Sequence, residues 1–167
     1  NAGMITWQDS GNRNYYTNVH FAGQSDAASA GGTASRSLVL SGGGEHVFQS
    51  CTVGVDTVQR TTGVTRTLEF KSGTARNSFI GCVFPVDLAA ASAASPTIYT
   101  AAAAAADRWQ RFEGCTFINS IGSGATAQTA LVTLAASTGG VVVLKSCTTV
   151  GTTDLFADAT TAGQMYI

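Results

Sequence analysis

The chain is expected to fold as an all-β, right-handed parallel β-helix, a solenoid of about five rungs with a period of about 32 residues, and three observations predict this. A Phe-x-x-Cys signature returns as Phe48–Cys51, Phe79–Cys82 and Phe112–Cys115, and once more as Leu144–Cys147 with leucine replacing phenylalanine. Counting Val19 of Tyr16-Thr-Asn-Val19 as a fainter first copy, the steps to Cys51, Cys82, Cys115 and Cys147 are 32, 31, 33 and 32 residues. A fixed period in this range marks a solenoid. Between the marks lie short strand-like runs separated by Gly, Ser, Thr and Asn, where a helical repeat would need two amphipathic helices per unit.

The columns of the repeat explain each element. The position at the cysteines (Val19, Cys51, Cys82, Cys115, Cys147) is apolar, as is the position three before it (Tyr16, Phe48, Phe79, Phe112, Leu144). Two residues after the cysteine position come Phe21, Val53, Phe84, Phe117 and Thr149, while the residue between is His20, Thr52, Val83, Thr116 or Thr148. That alternation sends one set of side chains inward and the other outward. The residue before the cysteine position is always small (Asn18, Ser50, Gly81, Gly114, Ser146), which suits a bend between two short strands of one turn. Each turn is then expected about 4.8 Å above the last, with its strands paired in parallel.

Taken along the chain, Gly23 to Ser35 reads as an Ala/Gly/Ser-rich loop and Gly42-Gly43-Gly44 as the approach to the strand at Phe48. Second strands are expected at Leu68-Glu69-Phe70, at Ser95 to Thr100 and at Leu131-Val132, each starting 13 to 17 residues beyond its cysteine. The alanine-rich run from Ala89 to Ala106 interrupts the pattern. Ala101 to Ala106 is too short for an independent helix and reads as a small-residue corner or protruding loop. Gly163 to Ile167 reads as a last strand, and Asp154 and Asp158 as exposed residues of a Thr-rich turn.

A chain of 167 residues is one domain by length, and residues 1–167 are read as a single β-helix domain belonging to a longer polypeptide. Only 11% of the residues are charged, with a net charge of −1, which predicts no electrostatic attraction to nucleic acid or to an anionic membrane. No apolar run approaches the roughly 20 residues needed to cross a bilayer. No Gly-rich phosphate loop is present, because Gly42-Gly43-Gly44 lacks a following Lys-Ser/Thr. No cofactor is expected.

Stacked one per turn, Cys51 and Cys147 would lie about 14 Å apart, too far to share a metal. Disulfides between neighbouring turns are allowed by distance but disfavoured by parallel side chains. The favoured expectation is a ladder of buried thiols built from Phe48, Cys51, Phe79, Cys82, Phe112, Cys115, Leu144 and Cys147, with cysteine acting as a small hydrophobe.

Glycoside hydrolysis generally needs two grouped carboxylates. On the strands beside the marks only Glu113 appears, and its column neighbour Lys145 predicts a surface ion pair. Asp56 and Asp87 both fall five residues after a cysteine and are expected to be adjacent, but no third acid or histidine aligns with them. His20 and His46 occupy different columns, so a Ser-His-Asp grouping has no anchor. No catalytic or metal-binding residue is assigned. Arg76, Arg108 and Arg111 gather before two successive strands with Trp109 among them, and with Tyr99 they form the candidate contact surface. The alternative has Trp109 covering the edge of the core and the arginines paired with Asp107 or with carbonyls.

The run Asn12 to Gly23, with Ala34 to Leu38, Asn77 to Phe84 and Asp107-Arg108-Trp109, resembles β-helical structural proteins of tailed bacteriophages, of the capsid-associated, head-decoration or tail-spike type. The resemblance implies a non-enzymatic virion component, assembled in the host cytoplasm, that contacts other virion proteins and forms homo-oligomers. Members that degrade glycans carry grouped acids, and no such group can be matched here. The alternative that the resemblance leaves open is a tail spike or fibre domain that binds or cleaves host glycan, with Trp109, Arg111, Tyr99, Asp56 and Asp87 along a sugar groove.

Overall fold

The structure is a computed structural model that describes residues 4–23, 35–62, 64–100, 102, 105–120, 126–134 and 140–157, with the backbone of 165–166. The expected loops at 24–34 and at 101, 103 and 104, and Asp158, lie outside the described residues. Strands follow one another in triplets, with one additional strand in the second turn. The first turn carries β1 (Ile5–Asp9), β2 (Tyr15–Thr17) and β3 (His20–Phe21), and the second β4 (Arg36–Ser41), β5 (Val47–Gln49), β6 (Thr52–Val53) and β7 (Val55–Arg60). The third has β8 (Arg66–Lys71), β9 (Thr74–Ile80) and β10 (Val83–Leu88); the fourth has β11 (Ile98–Thr100), β12 (Ala106–Glu113) and β13 (Thr116–Asn119). The fifth has β14 (Gln128–Thr133), β15 (Val141–Lys145) and β16 (Thr148–Val150), followed by β17 (Thr152–Phe156) and β18 (Met165–Tyr166). Asp154 therefore stands inside a strand, not in the turn expected of it.

Three parallel sheets run up the stack. The first is ordered β1-β4-β8-β11-β14-β17, the second β2-β5-β9-β12-β15-β18, and the third β3-β6-β10-β13-β16 with β7 beside β10. The register is that of the sequence columns. Tyr16 pairs with Phe48, Phe48 with Phe79, Phe79 with Phe112, and Phe112 with Leu144. The rings lie nearly face to face, with centroids 4.9, 4.6 and 4.7 Å apart from Tyr16 up to Phe112. A second pair, Phe84 and Phe117, stacks at 4.8 Å and meets the first edge-on. The first sheet adds Leu38, Leu68, Ile98 and Val132 to the same core.

The small residue before each cysteine has a conformational cause. Asn18, Ser50, Gly81, Gly114 and Ser146 hold φ of 57, 53, 59, 60 and 53°, the left-handed region. Glycine occupies it without strain and asparagine more readily than most residues, so the corner filters the sequence at one position per turn.

Candidate functional site

The uneven spacing of the repeat shapes the candidate contact edge. Between β9 and β12 the pairing steps from Ala75–Asp107 to Asn77–Gln110, so the fourth turn carries one extra residue as a bulge. This bulge accounts for the 33-residue step. It carries Arg108, at φ 59°, and Trp109, which is 36% exposed. Bulges re-aim side chains in this way.

The cations around it are already paired. Arg108 Nε lies 3.6 Å from Asp107 Oδ2, Arg76 Nη1 donates to Glu45 Oε1 at 3.0 Å, and Arg13 Nε donates to Glu45 Oε2 at 2.6 Å. Arg111 is bonded to Glu113, whose other oxygen accepts from Lys145 Nζ at 2.7 Å. The hydrogen bond from Arg13, then its charge, hold the Glu45 carboxyl below the usual range, and Lys145 does the same for Glu113. The expected Glu113–Lys145 pair is present, and the arginines are paired, with Glu45 and Glu113 as partners as well as Asp107.

The five contact candidates do not form one surface. Arg76, Arg108, Trp109 and Arg111 belong to the second sheet, whereas Tyr99 lies on β11 of the first sheet. There its ring is covered by Arg66 at 4.5 Å and Arg36 at 5.8 Å, and Arg36 is bonded to Glu69. Asp56 and Asp87 lie on the third sheet, each following a residue of the Val55–Val86 pair, but the register shifts directly after that pair, so the ladder does not carry the expected adjacency of the two acids. Asp56 accepts from Ser120 Oγ at 2.8 Å and Asp87 from Gln59 Nε2 at 3.2 Å. A single groove lined by Trp109, Arg111, Tyr99, Asp56 and Asp87 is thus not formed, because these residues are spread over the outsides of three sheets.

One column escaped the sequence reading. Asn14, His46, Asn77 and Gln110 each stand five residues before the cysteine position, and the last three are fully buried. Asn77 Oδ1 accepts from the His46 backbone N–H at 3.1 Å, and Asn77 Nδ2 donates to Gln110 Oε1 at 2.8 Å. His46 Nδ1 accepts from the Asn14 N–H at 3.3 Å and lies 3.5 Å from Asp9 Oδ2, while Nε2 has no hydrogen-bond partner among the described residues. Burial pushes the His46 imidazole to a lower pKa, against the pull of Asp9. Burial works against ionisation of Asp9 too, but hydrogen bonds from Asn14, the Gly11 N–H and Tyr16 outweigh it and hold the carboxyl low. The signal was present as a polar residue at constant phase, hidden by the change of type from amide to imidazole.

The cysteines are all free thiols. Cys51, Cys82 and Cys115 are buried, whereas Cys147 is partly exposed, so the ladder is less uniform than expected at its last member. Each Sγ donates to the carbonyl of the ring-bearing residue one turn back: Cys51 to Tyr16, Cys82 to Phe48, Cys115 to Phe79 and Cys147 to Phe112, at 3.4–3.5 Å. At the first turn, Thr6, Trp7, Tyr16, Val19, His20 and Phe21 border a hollow of about 290 Å³. Among the described residues no group of three or more His, Cys, Asp or Glu could hold a metal, and no helix is long and apolar enough to cross a membrane. The chain matches no protein-family model, no curated protein and no solved structure.

Proposed function

We propose that this domain is a non-catalytic structural component of a bacteriophage virion, a stiff β-helical module of the capsid-associated or head-decoration kind that docks on neighbouring virion subunits and on copies of itself. The observation that carries the reading is the unbroken internal stack, four rings at 4.6–4.9 Å spacing within three continuous parallel sheets. Such a body resists bending because every turn is held by ladder bonds and by its core neighbours at once. Its surface charge is locally neutralised, as the Arg13–Glu45–Arg76 and Arg111–Glu113–Lys145 groups illustrate. Protein interfaces depleted of unpaired charge have this character. Electron cryo-microscopy of particles containing the chain is expected to place it against capsid subunits. In parallel, the isolated domain should release no reducing ends from host surface polysaccharide. Location at the tail tip, with saturable glycan binding abolished by Trp109→Ala, would replace this reading with that of a receptor-binding spike domain.

A further inference from the structure

Arg60, which ends β7, is a cation sealed inside the corner between the third and first sheets, with 1% of its surface exposed. Its backbone is fixed there. The carbonyl accepts from the Ala89 N–H at 3.0 Å and from Ser92 Oγ at 2.6 Å, and the strand pairs the residue with Leu88. The guanidinium reaches the first sheet, where Nη2 donates to the neutral Thr67 hydroxyl at 2.9 Å, while Nε is buried with no hydrogen-bond partner among the described residues. Nor does an acid balance the charge. Glu69, two residues beyond Thr67, is bonded to Arg36 and lies 3.7 Å from Lys71 Nζ. The charges that bear on Arg60 are those of Arg36 and Arg66, and both repel it. Burial first, then this repulsion, bring Arg60 down to about 9, which leaves it ionised at neutral pH. A water molecule would satisfy the free N–H but leave the charge unbalanced, and an uncompensated buried charge is strongly destabilising.

We propose that a chloride ion binds at Arg60 Nε, neutralising the guanidinium and tying β7 to the first sheet. A second donor in the same corner supports the site. Ser37 stands one turn before Thr67, between the pairs Arg36–Arg66 and Leu38–Leu68, and its hydroxyl is fully buried and likewise without a partner among the described residues. Equivalent positions in adjacent turns lie about 4.8 Å apart, so the Ser37 hydroxyl and the Arg60 guanidinium both neighbour the Thr67 side chain. Buried donors without acceptors are where an ion is to be sought. The charge and the burial select its kind. One guanidinium balances one monovalent anion, whereas a phosphate or sulfate dianion would replace a buried positive charge with a buried negative one. A carboxylate carried on another protein has no route to a group this enclosed. The ion is taken up as the corner closes on folding, so folding stability records its presence.

The test is urea unfolding of the 167-residue protein while sodium chloride replaces sodium fluoride at constant ionic strength, so that screening of surface pairs does not change. Above the dissociation constant, each tenfold rise in chloride should lower the unfolding equilibrium constant by about tenfold, the slope of one site bound only in the folded state. Bromide should act in the same way, and crystals soaked in bromide should show an anomalous-scattering peak beside Arg60 Nε. Arg60→Met keeps an unbranched side chain and removes the charge. It should abolish the halide dependence and, in fluoride alone, be at least as stable as the wild type. Arg13→Gln, at an exposed cation, should keep the full chloride response. If Arg60→Met fails to fold, the wild-type titration and the bromide map decide. Wild-type stability indifferent to chloride, a chloride response that Arg60→Met retains, or bromide found only at surface cations would overturn the proposal.

Discussion

Asn18, Ser50, Gly81, Gly114 and Ser146 share a backbone conformation that side chains generally avoid, and what surrounds each decides how replaceable it is. A Cβ added at Gly114 would meet nothing within 4 Å among the described residues, so the φ of 60° is what restricts the position. Asparagine tolerates that region, and Gly114→Asn is expected to shift the urea-denaturation free energy by no more than about 0.5 kcal/mol. Gly54 is the contrast. It holds φ 112°, and an added Cβ would sit 2.5 Å from the Pro85 carbonyl oxygen. Gly54→Ala should lower stability by about 2 kcal/mol or more in the same measurement, because backbone must move to admit it. His46 makes a second residue-scale prediction. Its folded pKa lies below 6.5, its ordinary value, so as pH falls the unfolded chain takes up this proton first. The stability that neutral, buried His46 confers is complete above pH 6.5 and is lost progressively below it. The groups facing it are Asp9 and, through Asp9, Tyr16. Asp9 is held below 3.8, so its contribution persists above that pH and is lost only as pH falls through its folded value, outside this window. His46→Asn, which continues the amide column of Asn14 and Asn77, is expected to flatten the slope of unfolding free energy between about pH 7 and 5. An unchanged slope would locate the pH dependence elsewhere.

A strand-and-corner unit repeated with one inward ring per turn gives unequal weight to the same residue type. Phe79 is stacked on both faces, by Phe48 and Phe112 at 4.6 and 4.7 Å, and touches Phe84 edge-on. Phe79→Ala would empty the middle of the column and is expected to cost about 3–5 kcal/mol in chemical denaturation. Phe79→Leu should cost under about 1.5 kcal/mol, because Leu144 already occupies the same column without disturbing its register. This column, the cysteine column and the parallel pairing were legible in the sequence because each demands one residue class at a fixed phase. The bulge at Arg108 and Trp109 was visible only as a 33-residue step, which counts an extra residue without saying which strand absorbs it. Tyr99 was misplaced for a related reason. Proximity along the chain to Arg108 says nothing about the corner between β11 and β12, which turns Tyr99 onto another sheet, over Arg66 and Arg36. The polar column through His46, Asn77 and Gln110 stayed hidden because hydrogen-bonding capacity, not residue identity, is what repeats there.

At the scale of the whole molecule, every sheet neighbour of a strand belongs to an adjacent turn, so stability accumulates along one axis and is weakest where a turn has a neighbour on one side only. The burial pattern already shows the gradient. Phe48, Phe79 and Phe112 are fully buried, whereas every residue of β16 is exposed and Trp7, at the other end, is 46% exposed. Local opening requires breaking only one interface at an end but two in the middle, so exchange of backbone amides should follow position along the axis. Native-state hydrogen exchange is expected to find the slowest amides in β9 and β12, which pair with each other and are each paired on their outer sides as well, to β5 and β15. The fastest sheet amides should lie in β3 and β16, and destabilising Phe79 should raise exchange on both sides of it. Equal protection throughout would mean that the turns unfold as one cooperative block, and the nearest-neighbour account of the stack would then fail.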